Sequence, residues 1–242
     1  MSRAEPKSQE LLTDFFKQQQ ANNQYESLKR MTQQLDREAA TILNREVRGS
    51  LLCIGGIWDF FERGDQIEKM TCLDLSPQML EDYCPDYAEP VVGDLYTHDF
   101  PAASFDTVAF SLMLHHTPEG NWASCEQRIR DAVKRAHTWL RPGGKVMILE
   151  YCPHPAWMLI QRPALPFTKG LLGAFGQPLV VMYTRRFYES VLKAELGNCQ
   201  AHRMSPEGFD WWAWYPIFMS IRWLKMPFAI YPKLHVFTAT AA

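Results

Sequence analysis

The sequence lacks the features that mark several large classes of protein. Its 27 acidic and 25 basic residues nearly balance, so no global positive field favours binding to nucleic acid. The six cysteines include no C-x-x-C pair, which favours reduced, mostly buried thiols, and we expect no metal site. The first ten residues contain no apolar segment, so we expect no signal peptide and a cytoplasmic protein.

Internal repeats, linkers and long apolar runs are also missing. We therefore predict one domain over residues 1–242, with an N-terminal helical cap (1–47), a core (48–152) and a second half (153–242). The aromatic insertion at 209–232 is interrupted by charges and prolines, well short of the roughly 20 apolar residues that cross a bilayer. Arg222 and Lys225 among these aromatics would suit an interfacial helix, but membrane contact is not expected.

Hydrophobic periodicity predicts an α/β fold. Apolar residues at three- and four-residue steps predict helix over 11–47. Four short apolar runs (51–54, 71–75, 90–92 and 105–114) are then separated by helices or loops, which is typical of a parallel sheet covered on both faces. A helix over 123–140 stops at Arg141-Pro142-Gly143-Gly144 and leads into a buried strand, 145–152.

The second half of the chain does not continue the alternation of short strands and helices. Five prolines interrupt residues 153–182, where we expect only a short helix at 168–174. A helix over 184–196 follows, then two late strands, CQAHRMSP and KLHVFTATA, on either side of the aromatic insertion.

The segment KMTCLDLSPQMLEDY (69–83) is the clearest sign of a binding site. An apolar run ends in Asp74, then Ser76 and Pro77 provide an N-cap and a first helical residue. A carboxylate at the tip of a buried strand suits a ribose clamp, and Gly55-Gly56 lies about 20 residues upstream, as in nucleotide-binding units. The alternative is that Asp74 is only a solvated turn residue.

The order of these segments resembles the class I S-adenosylmethionine-dependent methyltransferases. The motifs LDLSPQML, GDLYTHDFPAASFDTVAFSLMLHH and LRPGGKVMILE carry the resemblance, which covers about residues 45 to 152. It implies a Rossmann-like, doubly wound, mostly parallel seven-stranded sheet with helices on both faces. It also implies S-adenosylmethionine as cofactor and S-adenosylhomocysteine as product.

The resemblance assigns roles to individual residues. Asp74 would accept hydrogen bonds from the ribose hydroxyls, Asp94 would accept one from the adenine amino group, and Gly55 would let the backbone approach the methionine portion. The implied cofactor-binding residues are Gly55, Gly56, Asp59, Asp74, Leu75, Asp94, Leu95, Ser111 and Leu112.

The glycine loop departs from the family pattern. The family usually has an acid and then three alternating glycines, whereas this chain reads Cys53-Ile54-Gly55-Gly56-Ile57-Trp58-Asp59. Ile57 and Trp58 add bulk where the cofactor's amino-acid end should lie. The loop could take another path, with Asp59 meeting the ammonium group, the site could be remodelled for a related ligand, or the pocket could be inactive.

The residues that would bind the methyl acceptor are less clearly indicated by the sequence than those that would bind the cofactor. Methyl transfer needs a base only when the acceptor starts protonated, and His115 and His116 are the candidates, although paired histidines here could merely shape the loop. We expect the N-terminal helices, 153–182 and 209–232 to wall the acceptor pocket. The predicted substrate-binding residues are Tyr25, Tyr151, Trp211, Trp214 and Tyr215. The same aromatics could instead be core or a homodimer contact.

The resemblance implies transfer of a methyl group, and the late aromatic residues favour a small, largely apolar or aromatic acceptor, in specialised metabolism. The methylated atom stays open, since O, N, C and S are all chemically compatible. Two alternatives stand beside it: a catalytically inactive partner or regulatory protein of the same fold, and a cofactor-binding enzyme of non-methylating chemistry.

Overall fold

The computed structural model describes residues 24–55, 58–117, 120–174, 179–218 and 221–241. The elements of the first half are α1 (Gln24–Glu46), β1 (Gly49–Ile54), β2 (Ile67–Asp74), α2 (Pro77–Tyr83), β3 (Ala88–Val92), β4 (Phe105–Ser111) and α3 (Trp122–Trp139). Those of the second half are β5 (Leu140–Cys152), α4 (Met158–Ala174), α5 (Arg185–Leu196), β6 (Gln200–Arg203), β7 (Trp214–Phe218), β8 (Ile221–Pro227) and β9 (Lys233–Thr240).

Seven strands form one sheet in the order β3-β2-β1-β4-β5-β9-β6. Strands β1 to β5 pair in parallel, whereas β9 is antiparallel to both of its neighbours, β5 and β6. The predicted mostly parallel, doubly wound sheet is therefore confirmed. Because parallel strands end on the same side, the ends of β1 to β5 form one border, here called the carboxyl edge.

Helices cover both faces of the sheet, as the continuous apolar strands predict. Successive residues of β1 alternate between the faces: Leu52 and Ile54 belong to the buried cluster of α3 and α5. Leu51 and Cys53 belong to the cluster of α1. Burial raises the pKa of the Cys53 thiol well above its usual range, so this cysteine is an inert strand residue. All six cysteines are free thiols, and the described residues contain no cluster of three metal-ligating side chains.

Helix α4 is longer than predicted. It begins at Met158, ten residues before the expected start, and contains Pro163 and Pro166. Each proline removes one backbone hydrogen bond, which is why the sequence predicts a break. The helix persists because buried Leu165 belongs to the same core cluster as α3 and α5.

Two further segments differ from prediction. Strand β5 begins at Leu140 rather than 145, because Leu140 pairs with Phe105 of β4. The aromatic insertion is an antiparallel hairpin of β7 and β8, not an interfacial helix. Proline in a strand argues against pairing, but a two-stranded ribbon has free edges where a missing N–H costs little. Across the described ranges, no helix combines the length and apolarity needed to cross a bilayer.

Candidate functional site

Asp74 closes β2 at the carboxyl edge. Its Oδ1 accepts a hydrogen bond from the Ser76 amide at 2.8 Å, and Ser76 caps α2 by accepting from the Met79 amide at 3.3 Å. Burial raises the pKa of the Asp74 carboxyl to about 6, although the amides of Ser76 and Leu75 oppose the shift. Further hydrogen-bond donors, such as those of a ligand, would stabilise the ionised form of this carboxyl group.

Asp94 follows β3, the neighbour of β2. The Gly93 amide donates to the Asp74 backbone carbonyl at 2.9 Å, which places the two acids on adjacent chain turns. Asp94 Oδ1 accepts from the Tyr96 amide at 2.8 Å. Beside these acids, Leu75 and Val92 are exposed although both are large and apolar. An exposed apolar surface between two carboxylates suits a planar ring that carries polar donors.

Gly55 lies where only glycine fits. Its φ is +96°, and a Cβ there would come within 2.6 Å of the Met113 Cβ and 3.0 Å of the Ser111 carbonyl oxygen. The loop after β1 is thus pressed against the end of β4. Gly56 and Ile57 lie outside the described residues.

The structure overturns the expectation that Trp58 crowds the loop. The indole is 1% exposed and lies in the core cluster that contains Leu35 and Leu43 of α1. Its bulk is therefore buried in this core cluster, where apolar burial is favourable. Asp59, the predicted partner of an ammonium group, is exposed.

The end of β4 is strained. Ser111 is buried, and the next residue, Leu112, has a φ of +51°. A leucine in the left-handed region costs energy that the surroundings must offset, here through the Leu112 amide donating to the Leu149 carbonyl at 2.9 Å. The turn directs the chain into a short 3₁₀ helix, Leu114–His116.

Glu150 on β5 holds this 3₁₀ helix. The side chain is fully buried, with Oε1 accepting from the Leu114 amide at 2.7 Å and Oε2 lying 2.7 Å from His115 Nδ1. A carboxylate acceptor fixes the proton on Nδ1 and leaves Nε2 as the free acceptor of the ring. Sequence reasoning missed Glu150, although a single acid inside the apolar run VMILEYC was a signal.

The two predicted bases have different environments. The His115 side chain keeps 15% exposure, whereas burial and then the adjacent His115 lower the pKa of His116 well below its usual range. The two ring centroids are 4.1 Å apart. The lowered pKa keeps His116 neutral, and its side chain is half-buried, so its role as a base stays a prediction.

Three elements meet beyond the end of β5. Tyr151 packs edge-on against Tyr231 with 6.2 Å between centroids, and Tyr215 lies 6.3 Å from Tyr231. Burial, followed by the charge of Asp36 on α1, raises the pKa of Tyr151 well above its usual range. The N-terminal helix, β5 and residues 209–232 thus come together here, while the contribution of 153–182 and the acceptor pocket itself stay predictions.

The other predicted acceptor residues are placed differently. Trp211 is half-buried and contacts Phe209 at 4.9 Å between centroids. Trp214 is exposed, so the structure does not bring it into the tyrosine cluster. Alternate residues of a strand face opposite ways, which explains why Tyr215 is buried and Trp214 is not. Tyr25 belongs to α1, but its side chain lies outside the described residues.

Comparison with known protein families finds a match for the middle part of the chain. The family model described as a methyltransferase domain matches residues 53–148. The same residues hold the glycine turn, both strand-end acids and the histidine loop. Residues 53–148 are therefore similar to a methyltransferase domain. The domain covers every predicted cofactor-binding residue, while Glu150, α4, α5 and the hairpin lie beyond the match. The curated proteins contain no match to the sequence.

Solved structures share the fold of the methyltransferase domain and its flanking elements. DhpI with S-adenosylmethionine and HEP has 16% identity and a TM-score of 0.64, covering 98% of this chain and 99% of that one. The 1,6-didemethyltoxoflavin-N1-methyltransferase of Burkholderia thailandensis, with its substrate and S-adenosylhomocysteine, has 15% identity and a TM-score of 0.60, covering 100% and 92%.

A third neighbour is a methyltransferase in complex with the Haloferax volcanii activator Trm112. Its identity is 12% and its TM-score 0.62, and the match covers 100% of both chains. At such identities these likenesses concern the fold.

Proposed function

We propose that the protein transfers a methyl group from S-adenosylmethionine to a small acceptor. The single observation that carries this proposal is Asp74, a carboxyl group at a strand tip whose burial raises its pKa to about 6. Neighbours of the same fold were solved with S-adenosylmethionine or S-adenosylhomocysteine, which supports the choice of ligand. The bound cofactor would supply an electrophilic methyl group on a sulfonium.

The residues present fit this cofactor. Asp74 would accept hydrogen bonds from the ribose hydroxyls, and the exposed apolar surface of Leu75 and Val92 would contact the adenine faces. Asp94 would accept from the exocyclic amine, and Gly55 would allow a close backbone approach. Leu95, Ser111 and Leu112 would border the ligand through the backbone, since the side chains of Leu95 and Ser111 are buried.

The acceptor that we propose is small and largely apolar or aromatic, and the reaction belongs to specialised metabolism. Support for an apolar acceptor comes from the tyrosine cluster of Tyr151, Tyr215 and Tyr231 at the carboxyl edge. Aromatic rings bind flat apolar groups through their faces and leave a phenol available for a hydrogen bond.

His115 would accept the proton that an O–H or N–H acceptor releases. The electron pair of the acceptor would form the new bond to the methyl carbon as the carbon–sulfur bond breaks and S-adenosylhomocysteine leaves, and the acceptor's proton would move to His115 Nε2. Glu150 is the positioning residue, because its Oε2 holds Nδ1–H at 2.7 Å. With Nδ1 held in this way, the imidazolium that forms is stabilised by a carboxylate.

Titration calorimetry with S-adenosylhomocysteine tests the proposal. We expect micromolar binding at pH 8 and affinity that falls about tenfold per pH unit below pH 6. The sign follows from the raised pKa: protonation near pH 6 removes the negative charge that the ribose hydroxyls need. Absence of binding by the folded protein at pH 8 would contradict the proposal and favour the inactive partner protein.

The tautomer of His115 is a second prediction. We expect ¹⁵N-resolved NMR at pH 8 to show His115 protonated at Nδ1, because Glu150 Oε2 accepts that proton. Glu150→Gln should shift the population toward the other tautomer. His137, which meets Glu195 in a more exposed pair at 2.9 Å, is the internal reference. A His115 protonated at Nε2 would contradict the assignment.

A further inference from the structure

The exposed apolar side chains are unevenly distributed. The described residues include ten large apolar side chains that are exposed, and only Leu75 and Val92 lie beside the proposed cofactor site. The other eight fall within 157–171 and 212–230. Leu159 is 80% exposed, Phe167 73% and Trp212 74%. Exposure of this kind, concentrated in two segments, marks an interaction surface.

The two segments lie within longer stretches of the chain that have no acidic residue. Residues 151–188 and 211–242 contain no aspartate or glutamate, although the chain has 27 acids. We call them the acid-free segments. Their basic residues are Arg162, Lys169, Arg185, Arg186, Arg222, Lys225 and Lys233. Within these two segments, therefore, the exposed apolar side chains are accompanied by basic residues and by no acid of the same segment.

Helix α4 has an apolar face that points outward. Ile160, Pro163, Phe167 and Leu171 recur at steps of three and four and are all exposed. Leu165 is buried on the opposite side. Arg162 and Lys169, seven residues apart, lie along one border of the exposed face. Arg162 pairs with Glu126 at 2.9 Å but keeps 55% of its side chain exposed.

Topology places both segments at the carboxyl edge. Helix α4 follows the end of β5, and the hairpin connects β6 to β9. Cys152, the last residue of β5, pairs with Lys233, the first residue of β9. The two segments therefore leave the sheet at neighbouring points, on the edge that also carries Asp74.

We propose that the acid-free segments dock the protein on an anionic lipid bilayer. Exposed aliphatic and tryptophan side chains would enter the interface, and the cations would meet lipid phosphates. A second copy of this chain would present the same cations, and like charges repel. An ordinary protein partner would have to present acidic side chains at matching positions, whereas an anionic bilayer presents negatively charged phosphates over its whole surface. Docking of this kind is independent of methyl transfer.

Vesicle flotation of the full chain tests the docking. Wild type should float with phosphatidylcholine vesicles that contain about one-third phosphatidylglycerol and should not float with pure phosphatidylcholine. Phe167→Ser should weaken binding about tenfold, and Lys169→Ala about fivefold. Lys134→Ala is the matched control, because Lys134 is an exposed lysine outside the acid-free segments and its loss should change nothing.

Several results would overturn the inference. Wild type that stays at the bottom with anionic vesicles excludes a lipid surface. Binding that Phe167→Ser leaves unchanged excludes α4 as the contact. A wild-type dimer in sedimentation velocity that Phe167→Ser converts to monomer, without vesicle binding, would make the surface a contact between copies. All three substituted residues are exposed, so unchanged thermal unfolding should accompany each variant.

Discussion

Asp74→Ala should weaken binding of S-adenosylhomocysteine about 10- to 100-fold, measured by titration calorimetry at pH 8. The variant loses the proposed acceptor of the ribose hydroxyls, and no described neighbour replaces it at the tip of β2. Loss of affinity should not come from unfolding. The pKa of Asp74 is raised to about 6 by burial, so above that pH the ionised carboxyl costs folding free energy, which alanine removes.

Asp86→Ala provides the matched control for that measurement. Asp86 is an exposed aspartate between α2 and β3, close in sequence to the site but outside it. The Asp86→Ala variant should bind S-adenosylhomocysteine with the affinity of wild type. Affinities for wild type and Asp74→Ala that agree within twofold would show that Asp74 is only a turn residue, the alternative that the sequence left open.

Glu150→Ala should lower the free energy of unfolding by about 2–4 kcal/mol. Glu150 is fully buried and accepts from the Leu114 amide and from His115, both at 2.7 Å. Alanine leaves a buried amide without an acceptor and a cavity in the core. Urea denaturation gives the difference from the shift in midpoint at unchanged slope.

Two further variants separate the contribution of the Glu150 hydrogen bonds to stability from that of the side chain's volume. Glu150→Gln fills the same space and keeps one carbonyl acceptor, so it should cost less than alanine. Glu68→Ala removes a glutamate from an exposed position on β2 and should stay within about 0.5 kcal/mol of wild type. A Glu150→Ala midpoint equal to that of Glu68→Ala would contradict the role of Glu150 in holding the histidine loop.

Much of the sheet was predictable from the sequence, because buried parallel strands are short continuous apolar runs. The runs at 51–54 and 71–75 correspond to β1 and β2, and the capped start of α2 was encoded by Ser76 and Pro77. Local signals sufficed wherever the hydrogen bonds that form an element lie within a few residues.

The details that depend on distant contacts were not predictable. Nothing local indicates that Trp58 is buried in a core cluster rather than turned into the glycine loop. His115 and His116 are identical in sequence terms, and only the distant Glu150 distinguishes them. Helix α4 forms across two prolines because Leu165 is anchored in a core built by other elements.

The placement of β9 has a consequence for how the chain is made. β9 is synthesised after β5 and β6 but lies between them and pairs with both. Until Lys233–Thr240 leave the ribosome, β5 has an open edge of apolar residues, and such edges recruit other chains. We expect nascent chains stalled before β9 to require chaperones, and full-length chains to be released from them once the final strand is inserted.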